Sequence, residues 1–194
     1  RDLDQTKSVR RNMIRYSAGK KELRTCISGI EFGRGMKKVF GGPDDIRTII
    51  FPKMVRTIRQ GSFCGVKSLV SAVLNEGLET LGTEEHSLNQ LKFCGVFQES
   101  GLKRVRLPST LKVIRNEAFM GCKNLKDVRL PDGLVEIGLR AFRASRLESI
   151  TTPPSVRTIR QSAFCGCQSL RKAVLNEGLE TLGTDEYPDG EGRW

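Results

Sequence analysis

The sequence has few aromatic residues, a single histidine and no long apolar run. Aromatic residues make up 6% of the 194 residues, and most of the phenylalanines fall at one repeated position. No stretch approaches the roughly 20 apolar residues of a membrane-spanning helix, so no membrane span is predicted. Neither a signal peptide nor an Asn-x-Ser/Thr glycosylation acceptor is visible. The localisation therefore stays unknown at this point.

The composition is basic. The formal net charge is +11, and residues 1–45 contribute 11 Lys/Arg against 6 Asp/Glu, or 11 − 6 = +5. Such an excess favours acidic partners in general without identifying one. We interpret residues 1–22 as a basic N-terminal segment outside the repeats, formed as a helix or an arm. A chain that begins at Arg1 rather than Met is typical of a fragment.

The main signal is an internal repeat of about 23 residues. Apolar positions follow the frame L-x-x-I-x-L-P-x-x-L-x-x-I-x-x-x-A-F-x-x-C-x-x-L. The repeats, or coils, start at Leu23, Ile46, Leu69, Leu102, Leu125, Leu147 and Leu170. Five phenylalanines lie 17 residues after a coil start, namely Phe40, Phe63, Phe119, Phe142 and Phe164, and Phe97 fills the same role in the coil with the insertion. No single coil can bury its own apolar face, so the coils must stack into a solenoid.

Each part of the repeat predicts a local structure. Alternation in L-x-x-I-x-L predicts a first strand with Leu102, Val105 and Leu107 facing inward. Pro or Asn ends this strand, and a second apolar pair such as Leu111 and Ile114 returns along the other face. We therefore predict a mainly β repeat solenoid of about seven coils. Its first strands would form one parallel sheet, short turns or 3-10 segments would complete each coil, and the phenylalanines would stack.

A two-coil duplication overlies this pattern. Residues 55–85 and 156–186 are identical at 24 of 31 positions, at a constant offset of 101. Arg and Gly alternate after the second apolar pair, at Arg59, Gly82, Arg115, Gly138, Arg160 and Gly183. The same offset aligns 83–93 with 184–194. The first is predicted to be an inserted, protruding loop, and the second the truncated start of a further insertion. The predicted array spans residues 23–194.

The string LPSTLKVIRNEAFMGCKNLKDVRLPDGLVEIGLRAF resembles the BspA-type leucine-rich repeats, also called Treponema pallidum-type. The resemblance covers about residues 23–194. It implies a curved, right-handed solenoid with parallel strands. It also implies a role in protein recognition, often in adhesion by surface proteins of bacteria and protists. The acidic inserted loop and the Asn-Glu-Gly-Leu-Glu turns depart from the family pattern.

The cysteines are interpreted first as structural thiols, with a disulfide or a metal site as alternatives. Cys122 and Cys167 share a repeat position that Val66 fills in another coil, which is typical of small buried apolar residues. Cys64 and Cys165 directly follow a phenylalanine. No C-x-x-C pair is present, so the pattern favours buried, reduced thiols over zinc ligands.

No residue constellation predicts an enzyme, a cofactor or a metal site. His86 lies in the inserted loop, and its counterpart in the second copy is Tyr187, which favours a solvated loop histidine over a catalytic base. The acidic residues of 83–93 and 184–194 lack the spacing of an EF-hand loop.

A basic cluster is the candidate binding site. Five residues fall at outward positions of two neighbouring first strands and are predicted to form one exposed basic patch: Lys103, Arg104, Arg106, Lys126 and Arg129. The patch lacks aromatic residues for stacking on bases, which argues against single-stranded nucleic acid. The favoured function is a non-catalytic protein–protein interaction or adhesion scaffold. The alternative is a polyanion binder for nucleic acid or acidic glycan, and an ordinary solvated face also remains open.

Overall fold

The computed structural model describes residues 13–18, 21–26, 31–32, 46–51, 53, 55–82 and 94–183. These ranges contain strands and turns but no helix. The strands are β1 (Met13–Ala18), β2 (Lys21–Cys26), β3 (Glu31–Phe32), β4 (Ile46–Ile50), β5 (Thr57–Ile58), β6 (Ser71–Val73), β7 (Thr80–Leu81), β8 (Arg104–Arg106), β9 (Val113–Ile114), β10 (Glu136–Ile137), β11 (Ser149–Thr151), β12 (Thr158–Ile159), β13 (Lys172–Val174) and β14 (Thr181–Leu182). The predicted inserted loop 83–93 and the segment 184–194 lie outside the described residues.

A continuous parallel sheet runs along one face of the stack. It is built from two-residue strands, which from β5 onward end at the second residue of the second apolar pair, in the order β3, β5, β7, β9, β10, β12 and β14. One residue of each two-residue strand turns into the core, and Ile58, Leu81, Ile114 and Ile137 are 0% exposed. Alternation along each strand fixes this register, because a slip of one residue would move the apolar side chain into solvent. The predicted parallel-strand solenoid is confirmed.

The first strands form a second column that is interrupted, so the prediction of one sheet from these strands was wrong. β4, β6 and β8 pair in parallel, and β11 pairs with β13. Residues 126–130 lie between the two groups outside any strand, although Val128 and Leu130 are buried. Within the described backbone, one hydrogen bond links this segment to a neighbouring first strand, from the Glu148 N–H to the Lys126 carbonyl at 2.9 Å. The Arg171 N–H makes the equivalent bond to the Glu148 carbonyl, so the register is kept here although this coil has 22 residues rather than 23.

The N-terminal strands are antiparallel, unlike the coils that follow. β1 pairs with both β2 and β4 and therefore lies between them. Leu23, the predicted start of a coil, lies opposite Tyr16 in this hairpin and does not stack directly on Ile46. Of the two alternatives for the segment before residue 23, the helix was wrong for 13–18, where β1 forms. The hairpin pairs the backbone groups that β4 would otherwise leave at a sheet edge.

The phenylalanines form the predicted row. Successive rings of Phe63, Phe97, Phe119, Phe142 and Phe164 lie 5.4, 5.6, 5.1 and 5.6 Å apart between centroids, with interplanar angles of 17° or less. The first four rings are at most 1% exposed, whereas the last is only partly buried. The spine prediction is therefore confirmed for these five rings, and Phe40 lies outside the described residues.

Sharp turns flank the phenylalanine rings, at positions where the sequence predicted short turns or 3-10 segments. Left-handed backbone, with φ between +53° and +73°, recurs two residues before or after the phenylalanine at Gly61, Gly65, Glu99, Glu117, Gly121, Arg140, Ala144, Ser162 and Gly166. Residues other than glycine adopt this conformation infrequently, so their recurrence reflects the bend that every coil must make. The turns direct each ring into the core.

The alternation of Arg and Gly has a packing cause. A Cβ built on Gly82 would lie 2.8 Å from the Cβ of Arg115 in the next coil, and one on Gly138 would lie 2.7 Å from the Arg115 carbonyl carbon. An arginine-bearing coil therefore fits between two glycine-bearing coils. This close approach explains why the unit of duplication is two coils.

Asparagine replaces the strand-ending proline in the duplicated coils for a similar reason. The Asn75 side-chain amide donates to the Val55 carbonyl of the preceding coil at 2.8 Å, and Asn176 donates to the Val156 carbonyl at 3.0 Å. These bonds tie the turn of one coil to the turn before it.

Candidate binding surface

The five basic residues predicted from the sequence are all exposed. Arg104 and Arg106 lie on β8, the last strand of the first sheet, with Lys103 directly before it. Lys126 and Arg129 come from the following coil, in the segment without strand pairing. The structure thus assigns the five residues to neighbouring coils. The regular ladder on which their predicted spacing was based is missing between those coils.

Acidic side chains lie among these cations. The Lys126 ammonium is 2.9 Å from a Glu148 carboxylate oxygen, and its hydrogen bond and charge lower the pKa of Glu148. Asp127 is also exposed on the same segment. Lys103, Arg104, Arg106 and Arg129 make no ion pair with any residue in the described ranges. Most of the positive charge of the patch is therefore accessible to a partner.

Glu76 lies at the other side of β8. Its carboxylate accepts hydrogen bonds from the Ser109 N–H at 3.0 Å and the Ser109 hydroxyl at 2.8 Å. These bonds lower the pKa of Glu76, and the charge of Arg106 lowers it further. The basic surface is thus bordered by carboxylates that stay ionised, which limits how uniformly positive it is.

A cleft lies where the first column is interrupted. It has a volume of about 390 Å³ and is lined by Asp127, Arg129 and Asp132 on one side and by Ser149 and Thr151 on the other. Side-chain charges and hydroxyls therefore sit next to backbone groups that no sheet ladder pairs. The repeat pattern did not predict this cleft. The spacing from Leu102 to Leu125 is the regular 23 residues, so the repeat pattern carries no signal for it.

The structure differs in part from the sequence-based interpretation of the cysteines. Cys64 forms a disulfide with Cys94, so the thiol interpretation was wrong for Cys64. Cys122 is free and buried, as predicted, whereas Cys167 is free but only half-buried. Burial raises the pKa of the Cys122 thiol to about 11 and also raises that of Cys167. Cys165 is a free, exposed thiol, contrary to the expectation of burial.

Two partly buried polar pairs support the fold rather than a chemical site. Glu117 is 3.4 Å from Arg140, and burial raises the pKa of Glu117 despite this cation. Glu136 accepts a hydrogen bond from Arg160 in the continuous sheet. In the part of the chain that is described, no group of three or more His, Cys, Asp or Glu side chains could hold a metal ion, and no helix could span a membrane. His86 lies outside that part.

Comparison with known sequences finds a matching family. The profile of the BspA type Leucine rich repeat region matches six copies across residues 36–93 and 94–187. These ranges include every coil of the described solenoid from Ile46 onward. No curated protein matches the chain significantly.

Comparison with solved structures gives the same fold. A leucine-rich repeat protein from Bacteroides ovatus aligns with a TM-score of 0.62 at 23% identity, over 88% of this chain and 42% of its own. The T. pallidum leucine-rich repeat protein aligns with a TM-score of 0.50 at 20% identity, over 82% and 78% of the two chains. One from Eubacterium ventriosum aligns with a TM-score of 0.52 at 18% identity, over 68% and 39%. The chain thus spans less than half of two of these relatives, and identities this low support the fold alone.

Proposed function

Because the chain belongs to the BspA type leucine-rich repeat family, we propose that it is a non-catalytic scaffold that recognises a protein partner, in an adhesion-type role. The recognition surface is the outer face of the interrupted first column. It comprises the basic patch of Lys103, Arg104, Arg106, Lys126 and Arg129 together with the cleft beside it. A solenoid suits this role because its stacked coils present a wide, rigid face.

The observation that carries the proposal is the break in the first column. On either side of that break, neighbouring first strands pair through their backbone groups. At residues 126–130 the ladder is absent and a cleft with charged and hydroxyl side chains takes its place. Polar groups beside a depression offer a partner both shape and hydrogen bonds.

The mixture of charges favours a protein over a polyanion. A partner with one acidic patch can place carboxylates on Arg104 and Arg106 and a cation near Asp127. A uniformly anionic glycan or nucleic acid would meet Asp127, Glu148 and Glu76 as repulsive groups. The net charge of +11 is the one observation that favours the polyanion.

A charge-reversal pair tests this surface. Arg104→Glu with Arg106→Glu changes the patch by four charges while leaving the partly buried Val105 of β8 intact. The matched control is Lys123→Glu with Arg143→Glu, the same charge change at two exposed residues near the phenylalanine turns. Wild type and both variants serve as baits, and each recovered protein is purified and titrated against all three.

The proposal expects a protein that binds wild type and the control but loses at least about tenfold in affinity with the patch variant, with Tm unchanged in both. Equal binding by all three chains would exclude the patch. Heparin affinity that falls steeply with rising salt, with no protein retained by wild type, would favour the polyanion instead.

A further inference from the structure

Residues 127–130 have backbone groups that no other part of the described chain pairs. None of their N–H and carbonyl groups hydrogen-bonds to a described residue. Burial nevertheless alternates along them as it does along a strand, with Asp127 and Arg129 exposed and Val128 and Leu130 buried. Backbone groups in such surroundings are normally paired, because an unpaired group loses its hydrogen bonds to water without replacing them. This segment is therefore strand-like but lacks a strand partner.

The cleft separates this segment from β11. On the far wall lie Ser149, Ile150 and Thr151, the residues of β11, and that strand pairs with β13 alone. One end of the cleft is closed by the hydrogen bond from the Glu148 N–H to the Lys126 carbonyl. A strand with a partner on one side only presents a row of N–H and carbonyl groups on its other side. Both walls of the cleft thus offer backbone donors and acceptors.

An extended peptide main chain matches these walls. It carries one N–H and one carbonyl group per residue, and peptides bind exposed sheet edges through these groups. The cleft volume of about 390 Å³ falls at the lower end of the roughly 300–1,000 Å³ that is typical of ligand sites. The space and the closed end therefore suit a short stretch of chain and not a folded domain.

The side chains around the cleft specify what that stretch should carry. Alternate side chains of an extended segment point to opposite faces. Those that point inward would meet Val128, Leu130 and Ile150, which are apolar and buried. Those that point outward would meet Arg129 and the rest of the basic patch. Asp127 and Asp132 also line the cleft, so a segment with a carboxylate at every outward position would be repelled.

We propose that the cleft captures a short extended segment of the protein partner, which adds to residues 127–130 as a strand. Its apolar side chains contact the cleft floor, and its carboxylates and hydroxyls face Arg129 and the patch. This inference rests on the proposed function, because it specifies which part of the partner is bound. Recognition through the backbone makes binding depend on the extended conformation as well as on side-chain charge.

Hydrogen exchange on the whole chain tests the pairing directly. The probe is the heptapeptide Ac-Val-Asp-Val-Thr-Val-Asp-Val-NH2, whose β-branched residues favour an extended chain. Without the peptide, the amides of 127–130 should exchange faster than the Arg171 amide, which donates to the Glu148 carbonyl at 2.9 Å. A saturating concentration of peptide should slow exchange at 127–130 by at least about tenfold and leave the Arg171 amide unchanged.

Backbone-modified peptides separate main-chain capture from attraction between charges. Replacing the three central amides of the probe by esters removes their N–H donors and keeps every side chain and charge. The ester peptide should bind at least about tenfold more weakly by isothermal titration calorimetry. The matched control carries one ester at its last residue, and its affinity should stay within about twofold of the parent peptide.

A pair of chain variants locates the site. Thr151→Trp fills the cleft from an exposed position of β11 and should reduce peptide affinity by at least about tenfold. Val174→Trp is the matched control, because Val174 lies opposite Thr151 on β13, is exposed and does not line the cleft. It should bind the peptide as wild type does, and neither variant should change the Tm.

Three results would overturn the proposal. The first is exchange at 127–130 in the free chain that is as slow as that of the Arg171 amide. The second is a probe peptide that neither binds nor protects these residues. The third is an ester peptide that binds as tightly as its parent. A partner protein that still requires Arg104 and Arg106 after any of these results would leave the proposed function standing, so the two can fail separately.

Discussion

Truncation of a ring in the middle of the phenylalanine row is the sharpest test of the packing. Phe119 is 0% exposed and its ring lies 5.6 Å from that of Phe97 and 5.1 Å from that of Phe142. Phe119→Ala removes a fully buried ring and leaves a cavity, which costs about 3–5 kcal/mol. The two lost ring pairs account for about 0.5–1.5 kcal/mol each within that range.

Phe164→Ala provides the matched control. This ring occupies the same repeat position, has one neighbouring ring at 5.6 Å and is only partly buried, so its loss should cost about 1–2 kcal/mol. Urea titrations followed by far-UV circular dichroism measure both changes in unfolding free energy. The corresponding fall in Tm for Phe119→Ala is roughly 6–20 °C. A loss below about 1 kcal/mol at Phe119, or equal losses at the two positions, would refute the spine as the centre of the core.

Three further predictions concern the coils. Gly82→Ala should destabilise the chain by more than Gly183→Ala, since both strain a positive φ but only the first collides with the next coil; thermal melts of the pair check this. Replacing Cys64 and Cys94 together by Ala should lower stability by about 3–4 kcal/mol, given their separation of 30 residues, and wild type with dithiothreitol should match the variant. Burial raises the pKa of Cys122 from 9.0 to about 11, so folding keeps this thiol protonated. The contribution of this protonated thiol to the free energy of unfolding is intact below pH 9 and decreases by up to about 3 kcal/mol as the pH rises towards 11. Relative to Cys122→Ala, wild type should lose stability over this window, and no difference in slope would contradict the burial.

The repeat explains why so much of the fold could be predicted. Apolar residues such as Leu102, Ile114 and Phe119 recur at fixed intervals, and a coil can bury them only by stacking on its neighbours. The parallel register, the ring stack and the burial of Cys122 all follow from that requirement. The exposure of Arg104 and Arg106 follows as well, because they alternate with the inward Val105.

Features that depend on contacts between particular coils were decided by the tertiary structure. The Cys64–Cys94 disulfide joins residues 30 positions apart, across an insertion whose path the repeat pattern does not specify. The antiparallel strand β1 has no counterpart in the repeat.

Periodicity in the sequence determined the solenoid, its core and its outward-facing residues, because burial of apolar side chains at a constant interval has one stacked solution. It did not determine which sheet is continuous. That depends on whether backbone hydrogen bonds close between two specific coils, and residues 126–130 lie outside any strand beside a cleft. Leu182 is exposed, although the identical residue Leu81 in the other copy is buried. This difference also depends on tertiary structure, because it is set by whether another coil covers the residue.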